Sequence, residues 1–427
     1  MEKIKSTLKW VRLDNAAKIY PAARRKNWSN VFRQSITLNE EVDIKVLKSA
    51  LTVTVQRFPT IAARLRRGLF WYYLQQIEFA PEISEEKSYP LDYMSKEEMR
   101  KCAFRVIVYY DRIAVEFFHS LTDGTGALVF LKSLVAEYLE QKHGISIPFE
   151  YGILDRKASV SQEEIEDSFL RYAGEVKASR KATNAWKLPK DKQNDNSTKL
   201  TCFHLSVNQI IELAHKHNVT FTVFLGAVMM MALQDMQKEK VQIRRKRKPI
   251  KLLIPVNLRN VFQSKTLRNF AMFTIPEIDP RMGEYSFDEI CNVIKHKMGE
   301  EITPKHMGAV IATNVKDERN LLLRLVPLPI KNLVMKAVFN SVGECKSCLT
   351  MSNLGQIKLP EIMVPYVKRI DFILGVQADA PYNCGVLSFC DTVDVNFIRN
   401  TKEAELERCF YGVLRKMGIT AKVESNG

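Results

Sequence analysis

No stretch of the chain is long and apolar enough to cross a bilayer. The longest apolar run, Phe221 to Leu233, falls short of the ~20 residues a spanning helix needs. The segment Leu321–Phe339 is interrupted by Arg324, Pro327, Pro329, Lys331 and Lys336, and reads as a buried core helix, with a tunnel wall or a membrane-facing patch as the alternatives. The opening MEKIKSTLKWVRL has the lysines of a leader but not the ~7–15 apolar residues of its hydrophobic region, so no export signal is expected. A disulfide framework is missing too: eight cysteines scattered over 427 residues suit reduced thiols in the cytoplasm. Cys345-Lys346-Ser347-Cys348 is a lone CxxC without a second pair or spaced histidines, and reads as two unlinked thiols near a strand start. There is no Gly-x-x-x-x-Gly-Lys-Ser/Thr loop to cradle nucleotide phosphates and no Gly-x-Ser-x-Gly nucleophile elbow. Neither a metal nor a resident cofactor is expected.

Acidic residues are in deficit. Lys and Arg number 64 against 48 Asp and Glu, a net charge of +16, which favours an anionic partner: nucleic acid, anionic lipid, the phosphates of coenzyme A or an acidic carrier protein. The densest basic run, Arg244-Arg245-Lys246-Arg247-Lys248, has no interleaved aromatics and belongs to no nucleic-acid motif, so it reads as a solvated loop before a strand and no nucleic-acid partner is expected. What is plentiful is apolar content, 46%, enough for a sizeable core in two or three compact units.

From Asp43 to Phe58, Ile44, Leu47, Leu51, Val55 and Phe58 recur at helical spacing until Pro59 stops them. Strands are expected at Thr60–Arg66 and Leu69–Gln76 around Arg67-Gly68, and at Arg105–Tyr110 and Ile113–His119 around Asp111-Arg112. Val115, Phe117 and His119 then share one face of a strand that ends at the imidazole. Asp123-Gly124 breaks the chain before a helix carrying Leu128, Leu131, Leu134, Val135 and Tyr138. Gly174–Lys199 is poor in large apolar residues, Trp186 excepted, and separates a first half, 1–175, from a second, 200–427. In the second half Ser206-Val207-Asn208-Gln209 has the form of a capping box, Phe221–Leu233 reads as a buried helix, and Lys251–Val256, Cys348–Ser352, Ile370–Val376 and Val386–Phe397 read as strand segments. A last helix presents Leu406, Phe410, Val413 and Leu414 inward and stops at Gly418.

His119-Ser120-Leu121-Thr122-Asp123-Gly124, taken alone, is either a chemical motif or a sharp turn in which Asp bonds nearby backbone. The other histidines, His143, His204, His215, His217, His296 and His306, have no ligand-like spacing and read as surface residues. Three further segments accompany the first: Pro255-Val256-Asn257-Leu258-Arg259, Arg268-Asn269-Phe270 and Ser352-Asn353-Leu354-Gly355. Together with Arg57-Phe58-Pro59 before a basic strand, they resemble the HxxxDG acyltransferase superfamily over most of the chain. That superfamily includes alcohol acetyltransferases, chloramphenicol acetyltransferase-like enzymes and condensation domains. The resemblance is nearest to the alcohol acetyltransferase or stand-alone condensation type. It departs from peptide-forming condensation domains at Phe118, where they carry a second histidine. It departs from the plant enzymes at Asp371-Phe372-Ile373-Leu374-Gly375, where their DFGWG motif has two other residues.

The resemblance implies an α/β fold of two chloramphenicol acetyltransferase-like halves, each a mixed sheet with helices, with a tunnel at their interface. His119 is then the general base that moves an acyl group from acyl-CoA or an acyl-carrier protein to a hydroxyl or amine, an ordinary imidazole near pKa ~6.5 being largely neutral at cytoplasmic pH. Asp123 is implied to be structural and to pair with Arg259, Gly124 belongs to the same turn, and Ser352, Asn353 and Asn269 are implied to position substrate or donate to the oxyanion. A non-catalytic condensation-like module that binds a carrier protein or lipid is the alternative, and peripheral membrane contact is compatible with either.

Overall fold

Four β-branched and aromatic segments of the first hundred-odd residues and one from the second half assemble into a five-stranded sheet ordered Val367–Ile373, Val31–Leu38, Arg112–Phe118, Phe104–Tyr109, Ile83–Glu85. This computed structural model describes residues 4, 8–23, 30–86, 89–176, 184–189, 198–319, 325–338, 346–376 and 380–426. The central hairpin turns at Tyr110-Asp111 and not at Asp111-Arg112, because Tyr110 takes the left-handed conformation (φ 50°) and Arg112 already pairs with Tyr109. Both strands therefore end one residue earlier than expected, and His119 is the first residue beyond Phe118.

One face of this sheet is covered by the helices Ile44–Arg57 and Gly124–His143. Asp43 caps the former, accepting from the backbone of Lys45 (2.8 Å) and Val46 (3.1 Å), and Leu47, Leu51 and Val55 are fully buried while Ile44 stays exposed. Phe130 of the second helix meets Phe58, Phe104 and Phe117 edge to face at 5.2, 5.3 and 5.7 Å. Beside it lies a three-stranded sheet ordered Val11–Arg12, Tyr72–Gln76, Ala63–Arg67. Its second long strand was expected from Leu69 but starts at Tyr72, since Gly68 to Trp71 is closed as a turn by a bond from Gly68 N to Trp71 O (2.9 Å).

The second sheet has eight strands, ordered Ala271–Thr274, Ile250–Asn257, Leu349–Ile357, Tyr382–Phe389, Thr392–Arg399, Lys199–Ser206, Ala421–Ser425, with Glu277–Ile278 also pairing to Ile250–Asn257. Val386–Phe397, read as one segment, is a hairpin that reverses at Cys390-Asp391, Cys390 having φ 49°. The helices Phe221–Lys240 and Glu405–Lys416 pack on this sheet, the first buried along most of its length, the second through Leu406, Phe410, Val413 and Leu414. Ser206 caps Val207–Lys216, but the reciprocal half of the box is absent: Gln209 turns to Gly418 O instead (2.8 Å).

The strand Val367–Ile373 lies antiparallel to Val31–Leu38, and Leu359, Met363, Ile370 and Phe372 join the first core. Trp186, the apolar exception in the connection, is buried in the second core and donates its backbone N–H to Pro249 O (2.8 Å); the rest of that connection is only partly within the described residues. One expectation is corrected. Of Leu321–Phe339, residues 325–338 are described and form the helix Leu328–Val338, which is not a core helix: Leu333 is 75% exposed and Ile330 and Val334 are over half exposed. Cys345 lies outside the described residues, so the CxxC pair has no described geometry. The run Arg244–Lys248 is a short turn of helix before the strand Ile250–Asn257 with all but Arg247 exposed.

Candidate active site

The end of the strand Arg112–Phe118 fixes His119. Its backbone N–H donates to Asn30 O (2.9 Å), its ring stacks on Tyr20 (centroids 4.4 Å apart, planes at 16°), and Phe32 meets it edge-on at 5.0 Å. The ring nitrogen Nδ1 is 3.1 Å from Asn269 Oδ1, and Asn269 Nδ2 donates to Asp14 Oδ2 at 3.2 Å. Asn269 Nδ2 points at Asp14 and Oδ1 at His119, and with Asp14 ionised, hence acceptor only, this arrangement puts the proton on Nδ1. Nε2 is therefore the basic nitrogen, and among the described residues no group hydrogen-bonds to it. Asp14 is fully buried, held by Ala17 N–H (2.7 Å) with Arg268 at 3.8 Å, and burial pushes its carboxyl above the ordinary range against the pull of that arginine. Burial lowers the His119 pKa below 6.5; its own backbone, Asp123, Asn269 and Asp14 work the other way without offsetting it.

Asp123 uses both oxygens. Oδ1 caps the helix Gly124–His143 through Thr125 N (3.2 Å) and Gly126 N (3.1 Å); Oδ2 accepts from Arg259 Nη1 and from Phe270 N, each at 2.8 Å. Burial alone would raise this carboxyl, but the Arg259 charge and these donors outweigh it and hold the pKa below 3.8. Arg259 is fastened further by Thr266 O (2.7 Å) and Asn257 Oδ1 (3.2 Å), and Thr122 Oγ1 donates to Leu267 O at 2.6 Å. The chain 257–270 of the second half thus grips the turn after His119 at Thr122 and Asp123, while Ser120 Oγ donates to Ala17 O (3.0 Å).

Gly124 and Gly126 differ in what a methyl group would meet. At Gly124 it would approach Leu354 Cδ2 (2.9 Å), the tip of a flexible side chain; at Gly126 it would lie 2.1 Å from Thr122 Oγ1 and 2.3 Å from Leu267 O. The crowded glycine is the one the motif did not single out.

His119 lines a cavity of about 1890 Å³ to which both halves contribute, Asn30 and Phe32 on one side and Asn257, Thr222, Ser352 and Asn353 on the other. Ser352 and Asn353 lie on Leu349–Ile357, where the register shifts between Asn353 and Gln356 and Gly355 adopts φ 76°. Asn353 Oδ1 accepts from Gly355 N (2.8 Å) and its Nδ2 donates to Thr222 Oγ1 (3.0 Å), so its amide holds this bulge in shape. Asn269 is equally occupied, its Oδ1 at the imidazole and its Nδ2 on Asp14.

The structure therefore brings His119 with Asn269 and Asp123 with Arg259 into two adjoining bonded pairs, with Ser352 and Asn353 on the cavity that His119 lines. Sequence reasoning missed Asp14, Thr122, Gly126 and Asn257. Asn257 and Thr122 lie inside quoted segments and were within reach; Asp14, 255 positions from its partner Asn269, has no local signal.

No family model matches the sequence, and no curated protein matches it. Solved structures match along nearly the whole chain. The TRI101 protein of F. sporotrichioides, solved with coenzyme A and T-2, has a TM-score of 0.63 at 9% identity, covering 97% of this chain and 99% of that one. The first condensation domain of the CDA synthetase has 0.57 at 12%, covering 96% and 95%. A wax ester synthase/diacylglycerol acyltransferase from Marinobacter aquaeolei VT8 has 0.54 at 11%, covering 96% and 100%. The chain has the fold these structures share, the two-lobed chloramphenicol acetyltransferase-like α/β architecture.

Proposed function

We propose that the protein is an acyltransferase, moving an acyl group from a thioester to a hydroxyl acceptor, with His119 as general base. The observation that carries this is the Asp14–Asn269–His119 chain, which leaves Nε2 basic on the cavity the two halves share. A depressed pKa keeps that nitrogen neutral at pH 7, ready to accept a proton. The acceptor oxygen gives its proton to Nε2 as it attacks the thioester carbonyl. The tetrahedral oxyanion collapses, the carbon–sulfur bond breaks, and the thiolate takes the proton back from the imidazolium. No covalent enzyme intermediate is required. Asn269 is a positioning residue that holds the Nδ1–H tautomer, and the charges of Asp14 and Asp123 favour the transient imidazolium. Ser352 is the better oxyanion donor of the two cavity residues, since the Asn353 amide is engaged in holding the bulge, and the role is typically worth ~2.7–4 kcal/mol. Asp123, Gly124 and Arg259 shape the turn.

The donor is acyl-CoA or an acyl-carrier protein and the acceptor a small alcohol. TRI101, solved with coenzyme A and T-2, supports the coenzyme A donor; an amine acceptor is the alternative. The units of the fold are 1–175 and 200–427, with one strand exchanged. The cytoplasm is the proposed compartment: the described cysteines are all free, and among the described residues no single helix is long and apolar enough to cross a membrane. The test is release of coenzyme A thiol from acyl donors of graded length, with pooled alcohols and amines, beside His119→Ala. Acceptor-dependent release that the variant loses supports the reading. Equal release from both proteins contradicts it, and binding of a carrier protein or lipid without turnover favours the non-catalytic module.

A further inference from the structure

The helix Leu328–Val338 is amphipathic with its polarity turned inside out. Two of its polar residues face the protein while Lys336 is exposed: Lys331 is 8% exposed, with Nζ donating to Phe70 O (3.2 Å) and lying 3.6 Å from the centroid of the Trp71 ring. Asn332 Nδ2 donates to Tyr72 OH (3.0 Å), and Leu328 N to Leu69 O (3.0 Å). Ile330, Leu333 and Val334, at the i, i+3, i+4 spacing of one helical stripe, face solvent. Leu325 before the helix and Leu69 on the loop it bonds to extend the same apolar surface and are each more than half exposed. Water selects the opposite arrangement, so a contiguous face of this kind marks an interaction surface.

Cations lie beside this face. Arg67, exposed, pairs in register with Tyr72, the residue that holds Asn332, and Lys336 is exposed on the helix itself. Arg66, Arg67 and Arg100 border a hollow of about 590 Å³ with Tyr73 and Gln75, and Glu97 and Glu98 share the helix of Arg100. Among the described residues no carboxylate pairs with these three arginines. The net charge of +16 adds a long-range attraction toward any extended anionic plane.

We infer that this face docks on an anionic lipid surface. Exposed aliphatic side chains flanked by arginines match what an interfacial helix presents to a bilayer: carbon to the acyl boundary, cations to the headgroups. Ile330, Lys331, Val334 and Trp71 also line the cavity that contains His119, so the docked face borders its opening. A lipid-soluble substrate passes from the bilayer toward His119 along that border. This last step rests on the acyltransferase reading; the docking does not.

The test is flotation of the full-length protein with vesicles of phosphatidylcholine alone and with phosphatidylserine added. Wild-type protein is expected to float with the phosphatidylserine vesicles, less so as salt is raised. Leu333→Asp is expected to cut partitioning about tenfold or more, and Arg67→Glu to weaken it on the anionic vesicles. Both positions are exposed, so the melting temperatures should match wild type, which checks the fold. His119→Ala is expected to float as wild type does, so a failed transferase assay and a failed docking are distinguishable. No flotation, equal flotation of wild type and Leu333→Asp, or capture by an acidic carrier protein in place of vesicles would overturn the inference.

Discussion

At His119, burial and hydrogen bonding pull the imidazole in opposite directions, and burial prevails. For a general base the consequence is direct: kcat/KM should be flat near pH 7 and fall only on the acid side of the ordinary 6.5, where Nε2 becomes protonated. His119→Ala should abolish turnover and, because the ring also packs on Tyr20 and Phe32 and bonds Asn269, lower the melting temperature without unfolding the protein. Asn269 acts through His119. Asn269→Ala removes a contributor that raises the imidazole pKa and frees the tautomer; kcat should drop about tenfold or more with KM little changed, and the acid limb should move to lower pH. A pH profile identical to wild type would count against the tautomer argument.

At the scale of elements, the strand Arg112–Phe118, the turn and the helix Gly124–His143 form the unit that carries the chemistry. Its packing makes a sharp distinction between two glycines. Gly126→Ala forces a methyl group onto Thr122 Oγ1 and Leu267 O and should destabilise the fold by about 3 kcal/mol or more, whereas Gly124→Ala, facing only the end of Leu354, should cost much less. Comparable midpoints in urea for the two variants would contradict this. The unit itself was legible in sequence, because period-two alternation up to Phe118 and helical spacing after Gly124 are local patterns. Turns at Tyr110 and Cys390 were less legible, since both need positive φ at residues that rarely adopt it. The outward stripe of Leu328–Val338 was illegible for another reason: apolar spacing identifies a face but not which side of the helix the protein covers, and here Trp71 and Tyr72 take the polar side.

Across the whole molecule, the two halves are joined by chemistry that local patterns do not contain. The strand Val367–Ile373 crosses to the first sheet, and Arg259 crosses to Asp123, a pairing anticipated only through family resemblance. Removing either partner strands a buried charge, so Asp123→Ala and Arg259→Ala should each cost about 3–5 kcal/mol near neutral pH. Because the folded-state pKa of Asp123 lies below 3.8, its contribution is present above that value and lost as pH falls through the folded value; the gap between wild type and Asp123→Ala should narrow there in denaturation curves. Activity should fall along with stability, as the same turn sets the position of His119. The account's central claim is that the cavity carries acyl transfer through His119, and the most direct measurement follows an isotopically labelled acyl group from coenzyme A to an alcohol by mass spectrometry. Labelled ester formed by the wild-type protein and absent with His119→Ala is the predicted result; labelled ester formed equally by both would contradict it.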